Sequence, residues 1–217
     1  MTASASVSTK ELDRIASVAY TGKVVEGFLA YDPGDTLTVE STAAAWDALE
    51  LTVGTNGYKR VQNILGTPIS DPVGVDVTYP YADFAYTASG GNFTFDTLCV
   101  RVGELGSTVN ISTTERATNI ATVVTATNHG LIATDQVYIT GTTNGTFDGF
   151  WEVLSAPTTT SFTFNYVGAD ITQAADTGTT QLVTYQTYLY GYVKEDPDIV
   201  VTDGATQTYR IYFSVDN

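Results

Sequence analysis

The chain is short of the residues that most catalytic and metal sites require. Among 217 residues there is one cysteine, one histidine and one methionine. A single cysteine, Cys99, excludes an intrachain disulfide. Within the apolar run TLCVRV it reads as a buried, inert thiol rather than a nucleophile. With one histidine, His129, there is no Cys/His cluster, and any Ser-His-Asp triad would have to use that residue. No Walker A loop, G-x-S-x-G elbow or H-E-x-x-H motif is present. We therefore expect no enzyme activity, no cofactor and no metal.

Positive charge is also scarce: 9 Lys and Arg stand against 24 Asp and Glu, a formal net charge of −15. Phosphate backbones are bound through Lys and Arg, so nucleic acid is not an expected partner. An acidic membrane surface would repel the chain in the same way. No apolar run approaches the length of a membrane span. The opening residues MTASASVSTKE have neither a basic start nor an apolar core, so no secretory signal is expected and a reducing cytoplasm is the expected site of assembly. The three Asn-x-Ser/Thr sequons, at Asn92, Asn110 and Asn144, carry no weight without a secretory route.

Hydrophobic residues make up 43% of the chain and charged residues 15%, which excludes a disordered chain and a charge-laced coiled coil. Thr and Tyr, both strand-favouring, are over-used. The expected fold class is all-β: a jelly-roll-like β-sandwich with a short N-terminal helix and an inserted small β-domain. Ser8 and Glu11 form a capping box, Leu12, Ile15, Ala16 and Ala19 recur at helical spacing, and Gly22 supplies a stop, predicting a helix over 9–21. Such a short helix needs a partner for its apolar stripe, which makes Leu12 and Ile15 candidate interface residues.

From Lys23 the pattern is β. KVVEGFLAY reads as a strand ended by the turn Asp32-Pro33-Gly34-Asp35. Residues 41–49 read as a capped helical turn anchored by Trp46, and ELTV as a strand. Asn56-Gly57 marks a tight turn before YKRVQNIL. FTFDTLCVRVG is a buried strand, and in TQTYRIYFSVDN the residues Tyr209, Ile211, Phe213 and Val215 share one face. Between these parts, residues 112–181 have a Thr- and Ala-rich texture and their own β pattern. Removing them would let FDTLCVRVG pair with TYLYGYV. The expected organisation is an outer domain of residues 1–111 and 182–217, split by an inserted domain over 112–181.

Three groups of residues could carry chemistry or contacts. His129 is the one candidate general base, and its alternative role is a turn residue bonded to nearby backbone. The carboxylate pairs Asp32/Asp35 and Asp196/Asp198 flank prolines, where Asp commonly caps the local chain; a glycosidase would need two carboxylates across a cleft. Tyr188, Tyr190 and Tyr192 share strand parity, so they form one face suited either to half-buried packing or to a subunit interface.

The segment VVTATNHGLIATDQVYITGTTNGTF, with TTTSFTF downstream, resembles a small β-module found repeatedly in virion proteins of tailed bacteriophages, especially tail and fibre proteins. Its pattern is carried here by Ala126 to Leu131, by Asp135, Val137, Ile139 and Gly141, by Asn144, Gly145 and Phe147, and by Thr160, Phe162, Thr163 and Phe164. Thr134 stands where the pattern has Gly, and DGFWEV is longer than the usual segment. The outer parts are similar to phage decoration or fibre-base proteins through AAAWDALEL, the TASGGNFTFDTL run, YLYGYV and TDGATQTYRIYFSVD. The resemblance implies a non-enzymatic virion component, with no catalytic residues to carry over. The function it implies is capsid decoration, with the phage major capsid protein as partner and a homotrimer as the oligomeric state. A short tail fibre or fibre adaptor touching tail proteins or host glycans is the alternative it leaves open.

Overall fold

Strand β1 (Val24–Ala30) is buried along its whole length, because both faces of its sheet are covered. The structure is a computed structural model that describes residues 22–38, 40–65, 69–70, 78–79, 81–143, 145–187 and 190–213. The expected helix over 9–21 lies outside these residues. After β1 come a short helix α1 (Ala43–Asp47), β2 (Val61–Ile64), β3 (Ile69–Ser70), β4 (Thr78–Tyr79), β5 (Tyr81–Thr87) and β6 (Phe93–Leu105). Next are β7 (Val109–Ala117), β8 (Ile120–Thr125), β9 (Gln136–Thr140), β10 (Gly149–Glu152), β11 (Ser155–Thr158), β12 (Ser161–Asn165), β13 (Ile171–Ala175) and β14 (Thr179–Tyr185). The chain ends its described part with β15 (Gly191–Val201) and β16 (Thr206–Tyr212). The fold is all-β and antiparallel, as expected.

The chain divides into two compact units, one made of the residues through Gly103 and from Tyr185 onward, the other of Glu104–Thr184. In the first unit, β1 pairs with β2 and β6, and β6 pairs on its other side with β15. The β6–β15 ladder, with Val100 opposite Gly191 and Phe93 opposite Val201, joins the two strands that the sequence suggested would pair. A second layer, β5 with β16, runs in unbroken register from Thr87–Thr206 to Tyr81–Tyr212. Between the layers lies a core that includes Val25, Leu29, Phe84, Tyr86, Phe95, Leu98 and Phe213. This is a β-sandwich. Tyr209 and Ile211 of β16 pack on the core, whereas Arg210, one residue out of phase, reaches outward to clamp Asp83 with two 2.7 Å bonds.

The other face of the β1–β6 sheet is covered by the segment carrying α1. Trp46 is buried there, 5.7 Å from the Phe28 ring, with Leu37, Ala30 and Cys99 around them. The stretch ELTV, expected as a strand, contributes only an isolated bridge from Glu50 to Ala30. Leu51 instead donates its amide to the Leu29 carbonyl and the chain turns away toward Asn56. The reason is local: Gly54 and Asn56 both take positive φ, which ends extended structure within a few residues.

Residues 104–184 form their own core of Ile111, Val123, Val137, Ile139, Phe147, Phe162 and Phe164, among others. One ladder runs β11-β12-β8-β7 with β13 beyond, and another runs β7-β14-β9-β10, so β7 serves both. The register of β7 against β8 shifts between Ile111 and Thr113, which lets one strand turn from one sheet to the other. This unit begins at 104, earlier than the change in texture at 112, because β7 already belongs to it.

Gly27 lets β1 approach the second layer of the sandwich. A Cβ there would lie 2.5 Å from a Phe84 ring carbon and 2.7 Å from the Tyr86 hydroxyl. Gly27→Ala should therefore lower the unfolding free energy of this unit by about 2 kcal/mol, read from the denaturant midpoint. An unchanged midpoint would show that Phe84 can move aside without loss.

Candidate functional site

The His129 corner is built from side chains bonded to nearby backbone. Asn128 Oδ1 accepts the Gly130 amide at 2.9 Å, and His129 Nδ1 accepts the Leu131 amide at 2.9 Å. Gly130 has φ +67°, a left-handed conformation that glycine adopts without strain. Asp135 Oδ2 then accepts the Ile132 amide at 2.9 Å. The His129 amide donates to the Thr159 carbonyl, and its ring stands edge-on to Phe162 with centroids 5.5 Å apart. The imidazole thus has one nitrogen committed to the backbone and its ring in contact with the core. Leu131, buried beneath the corner, is part of the same core.

The neighbouring turns are held in the same way. Asp148 accepts the amides of Gly141 and Thr142 and the Thr142 hydroxyl. Asp176 accepts the amides of Thr143 and Gly178 and the Thr114 hydroxyl. Trp151, in the lengthened DGFWEV segment, stacks 4.5 Å from Phe164 and donates its indole N–H to the Phe147 carbonyl. Thr134, in the place where the module's pattern has Gly, has φ +75°.

The Asp32/Asp35 pair also serves the backbone and one lysine. Asp32 accepts the amides of Thr36 and Leu37 and the Thr36 hydroxyl. Burial opposes its ionisation, yet these bonds outweigh burial and its carboxyl lies below the usual range. Asp96 takes the Asp32 amide on one oxygen and the Lys194 ammonium on the other, at 3.0 Å. Lys194 also reaches Asp35, at 3.1 Å, and the Asp32 carbonyl. Asp198 is exposed beside Tyr31, whose phenol its charge pushes up. Cys99 is fully buried, and burial pushes its thiol up to about 12.

Of the candidate interface residues, Leu12, Ile15 and Tyr188 lie outside the described residues. Tyr190 is half-buried, with its ring 4.8 Å from Phe213 at the edge of the sandwich core. Tyr192 is 43% exposed on β15. The two therefore occupy different environments, one facing the core and one facing solvent.

One constellation went unremarked in the sequence. Glu26, 1% exposed, receives Arg101 through two nitrogens at 2.5 and 2.6 Å, and Gln62 at 3.0 Å. Arg60 bridges Glu26, Glu50 and Asp47, and Glu50 also accepts the Tyr58 hydroxyl. The visible signal was one acid in VVEGFL and one base in LCVRVG, each alone inside an apolar strand. Every carboxylate here is paired, which fits a structural brace rather than an acid–base pair poised for catalysis. Among the described residues, no group of three or more His, Cys, Asp or Glu could hold a metal ion, and no helix is long and apolar enough to cross a membrane.

No family model, curated protein or solved structure matches the chain. In the geometry itself, His129, Asp32 and Asp135 hold turns and Asp35 pairs with Lys194.

Two outcomes follow from these turns. Thr134→Gly should raise the stability of the 104–184 unit by about 1 kcal/mol, since a β-branched residue at positive φ is strained. A lower melting temperature in that variant would mean the threonine makes a contact worth more than the strain. The second concerns acid. Asp32, Asp96 and Asp148 all titrate below the ordinary value of 3.8 in the folded chain. The stability they add is thus present above that pH and lost as pH falls through the folded values. Resistance to urea should weaken below about pH 4, and less so in Asp148→Asn; equal acid sensitivity in both proteins would remove Asp148 from the account.

Proposed function

We propose that this chain is a non-enzymatic structural protein of a tailed-bacteriophage virion, a capsid decoration or cement protein that binds the outer surface of the shell and stabilises it. The observation that carries this reading is the His129 corner. Its polar residues are spent on holding the turn: His129 on Leu131 and Asp135 on Ile132, with Gly130 at positive φ between them. A module whose motif is made of turn contacts is reused for its shape, which supports a structural part over a catalyst.

Other features support the same reading. The sandwich is held without disulfides, which suits assembly in a bacterial cytoplasm. A net charge of −15 opposes association with nucleic acid and favours solubility before assembly. On this reading the partner is the phage major capsid protein, the assembled form is a homotrimer, and the location is the virion surface. The competing reading is a short tail fibre or adaptor. It draws support from the 104–184 unit, whose pattern resembles modules of tail and fibre proteins.

Purified protein added to empty shells that lack it should co-sediment with them and raise their melting temperature. Absence of binding would overturn the decoration reading. Copy number in whole virions separates the two readings: it follows the number of shell subunits for a decoration protein and the symmetry of the tail for a fibre.

A further inference from the structure

Arg116 differs from the other described arginines. Arg60, Arg101 and Arg210 each hold at least one carboxylate. Arg116, on β7 opposite Ala121 of β8 and Ile171 of β13, holds none among the described residues. It is nevertheless only 7% exposed. Arginine is rarely buried to this degree without a counter-charge, because a desolvated cation that lacks one costs stability. The 104–184 unit contains seven Asp and Glu side chains and no other Lys or Arg, yet none of them serves. Glu115, the preceding residue on the strand, takes the opposite face. Asp170 accepts the Thr118 amide, and Asp176 accepts the Thr114 hydroxyl.

The guanidinium is fixed in place. Nε donates to the Ala169 carbonyl at 2.7 Å, and the group lies 4.4 Å from the centre of the Tyr166 ring. Nη1 and Nη2 make no hydrogen bond among the described residues, and neither is among the polar atoms closed to solvent. They are therefore donors within reach of an outside group. Residue 168 is glycine, and a Cβ there would lie 2.6 Å from Nη1 and 2.8 Å from Nη2, so any side chain would press on them. A held guanidinium with two free terminal nitrogens matches a two-oxygen anion, carboxylate or phosphate. Charge decides between these. Arg116 balances the single charge of a carboxylate, whereas a phosphate dianion brings a second charge to a unit already rich in acids.

We propose that Arg116 binds one carboxylate from outside the chain, held bidentate by Nη1 and Nη2. The inference stands apart from the virion reading. Free organic acids and acidic side chains of a bound protein present the same group, and the test separates them. The full chain is titrated at constant ionic strength with sodium acetate, with the blocked peptide Gly-Glu-Gly, with inorganic phosphate and with sodium chloride, and read by NMR at the Arg116 Nε–H and the Gly168 and Ala169 amides. Acetate and the peptide should both give saturating shifts, and chloride none. Tighter binding of the peptide identifies a protein side chain as the source; equal binding identifies a free acid. Arg116→Lys keeps the charge and loses the fork, and should weaken binding about tenfold. Gly168→Ala, which keeps the arginine and presses a methyl on its Nη atoms, should weaken it too, and decides the matter if the lysine variant does not fold. No saturating shift with either carboxylate would overturn the proposal, since water alone then satisfies the guanidinium. Phosphate binding tighter than acetate, or unchanged affinity in the folded variants, would overturn it as well.

Discussion

The pairing of β6 with both β1 and β15 is the constraint on which the first unit depends. From Phe95 to Val100 every residue of β6 is buried, so the strand has core on one face and the α1 segment on the other. Its partner on one edge arrives early in the chain, while its partner on the other arrives only after residues 104–184 have been crossed. Loop-closure entropy grows only slowly with length, so a long crossing is tolerable. A crossing with a compact core of its own adds still less. Gly106 donates to the Leu182 carbonyl at 2.7 Å, tying the two ends of the second unit to each other. Gln186 donates to the Val102 carbonyl at 2.9 Å where the chain re-enters the first. The insertion thus enters and leaves through strands that are already neighbours.

That same strand shows where polar residues enter the apolar layers. On β6, Phe93 and Phe95 face the sandwich core, and so do Leu98, Val100 and Val102, which are out of phase with them. The phase changes at Asp96 and Thr97, where the ladder to β15 shifts between Lys194 and Ile199. A shifted ladder exposes backbone groups and turns polar side chains inward, and each finds a partner: Asp96 takes the Asp32 amide, the Thr97 hydroxyl and Lys194. Pro197 lies in the extra length of β15, consistent with its confinement to bulges and edges.

Much of this was legible in the sequence because it is local. Clean alternation placed Tyr209, Ile211 and Phe213 on the core face, and KVVEGFLAY was readable as a strand ended by a turn. The Asp32 turn, the Asn56-Gly57 turn and the His129 corner were readable from residues that reshape their own backbone. What stayed hidden depends on distant pairing. The Glu26–Arg101 bond joins residues 75 positions apart, and only the β1–β6 register sets them opposite each other. ELTV has strand composition but loses to the positive φ at Gly54 and Asn56. The shared parity of Tyr190 and Tyr192 did not reveal that one would meet Phe213 and the other solvent, since β15 begins only at Gly191.

The distribution of charge bears on what the chain can contact. Arg60, Arg101, Lys194 and Arg210 are each engaged by carboxylates of the first unit. Arg116 is 7% exposed in the second, stacked 4.4 Å over Tyr166 with its Nε on the Ala169 carbonyl. Much of the scarce positive charge is therefore used to brace the fold, and acids in excess remain for the exterior. Attraction to a polyanion has little left to work with. On the virion reading proposed above, association would come instead from hydrogen-bonding side chains such as Thr and Tyr and from small apolar contacts. Such a surface would give little affinity for one isolated contact and a useful sum over many repeated ones, which is what the proposed binding to a symmetric shell would require.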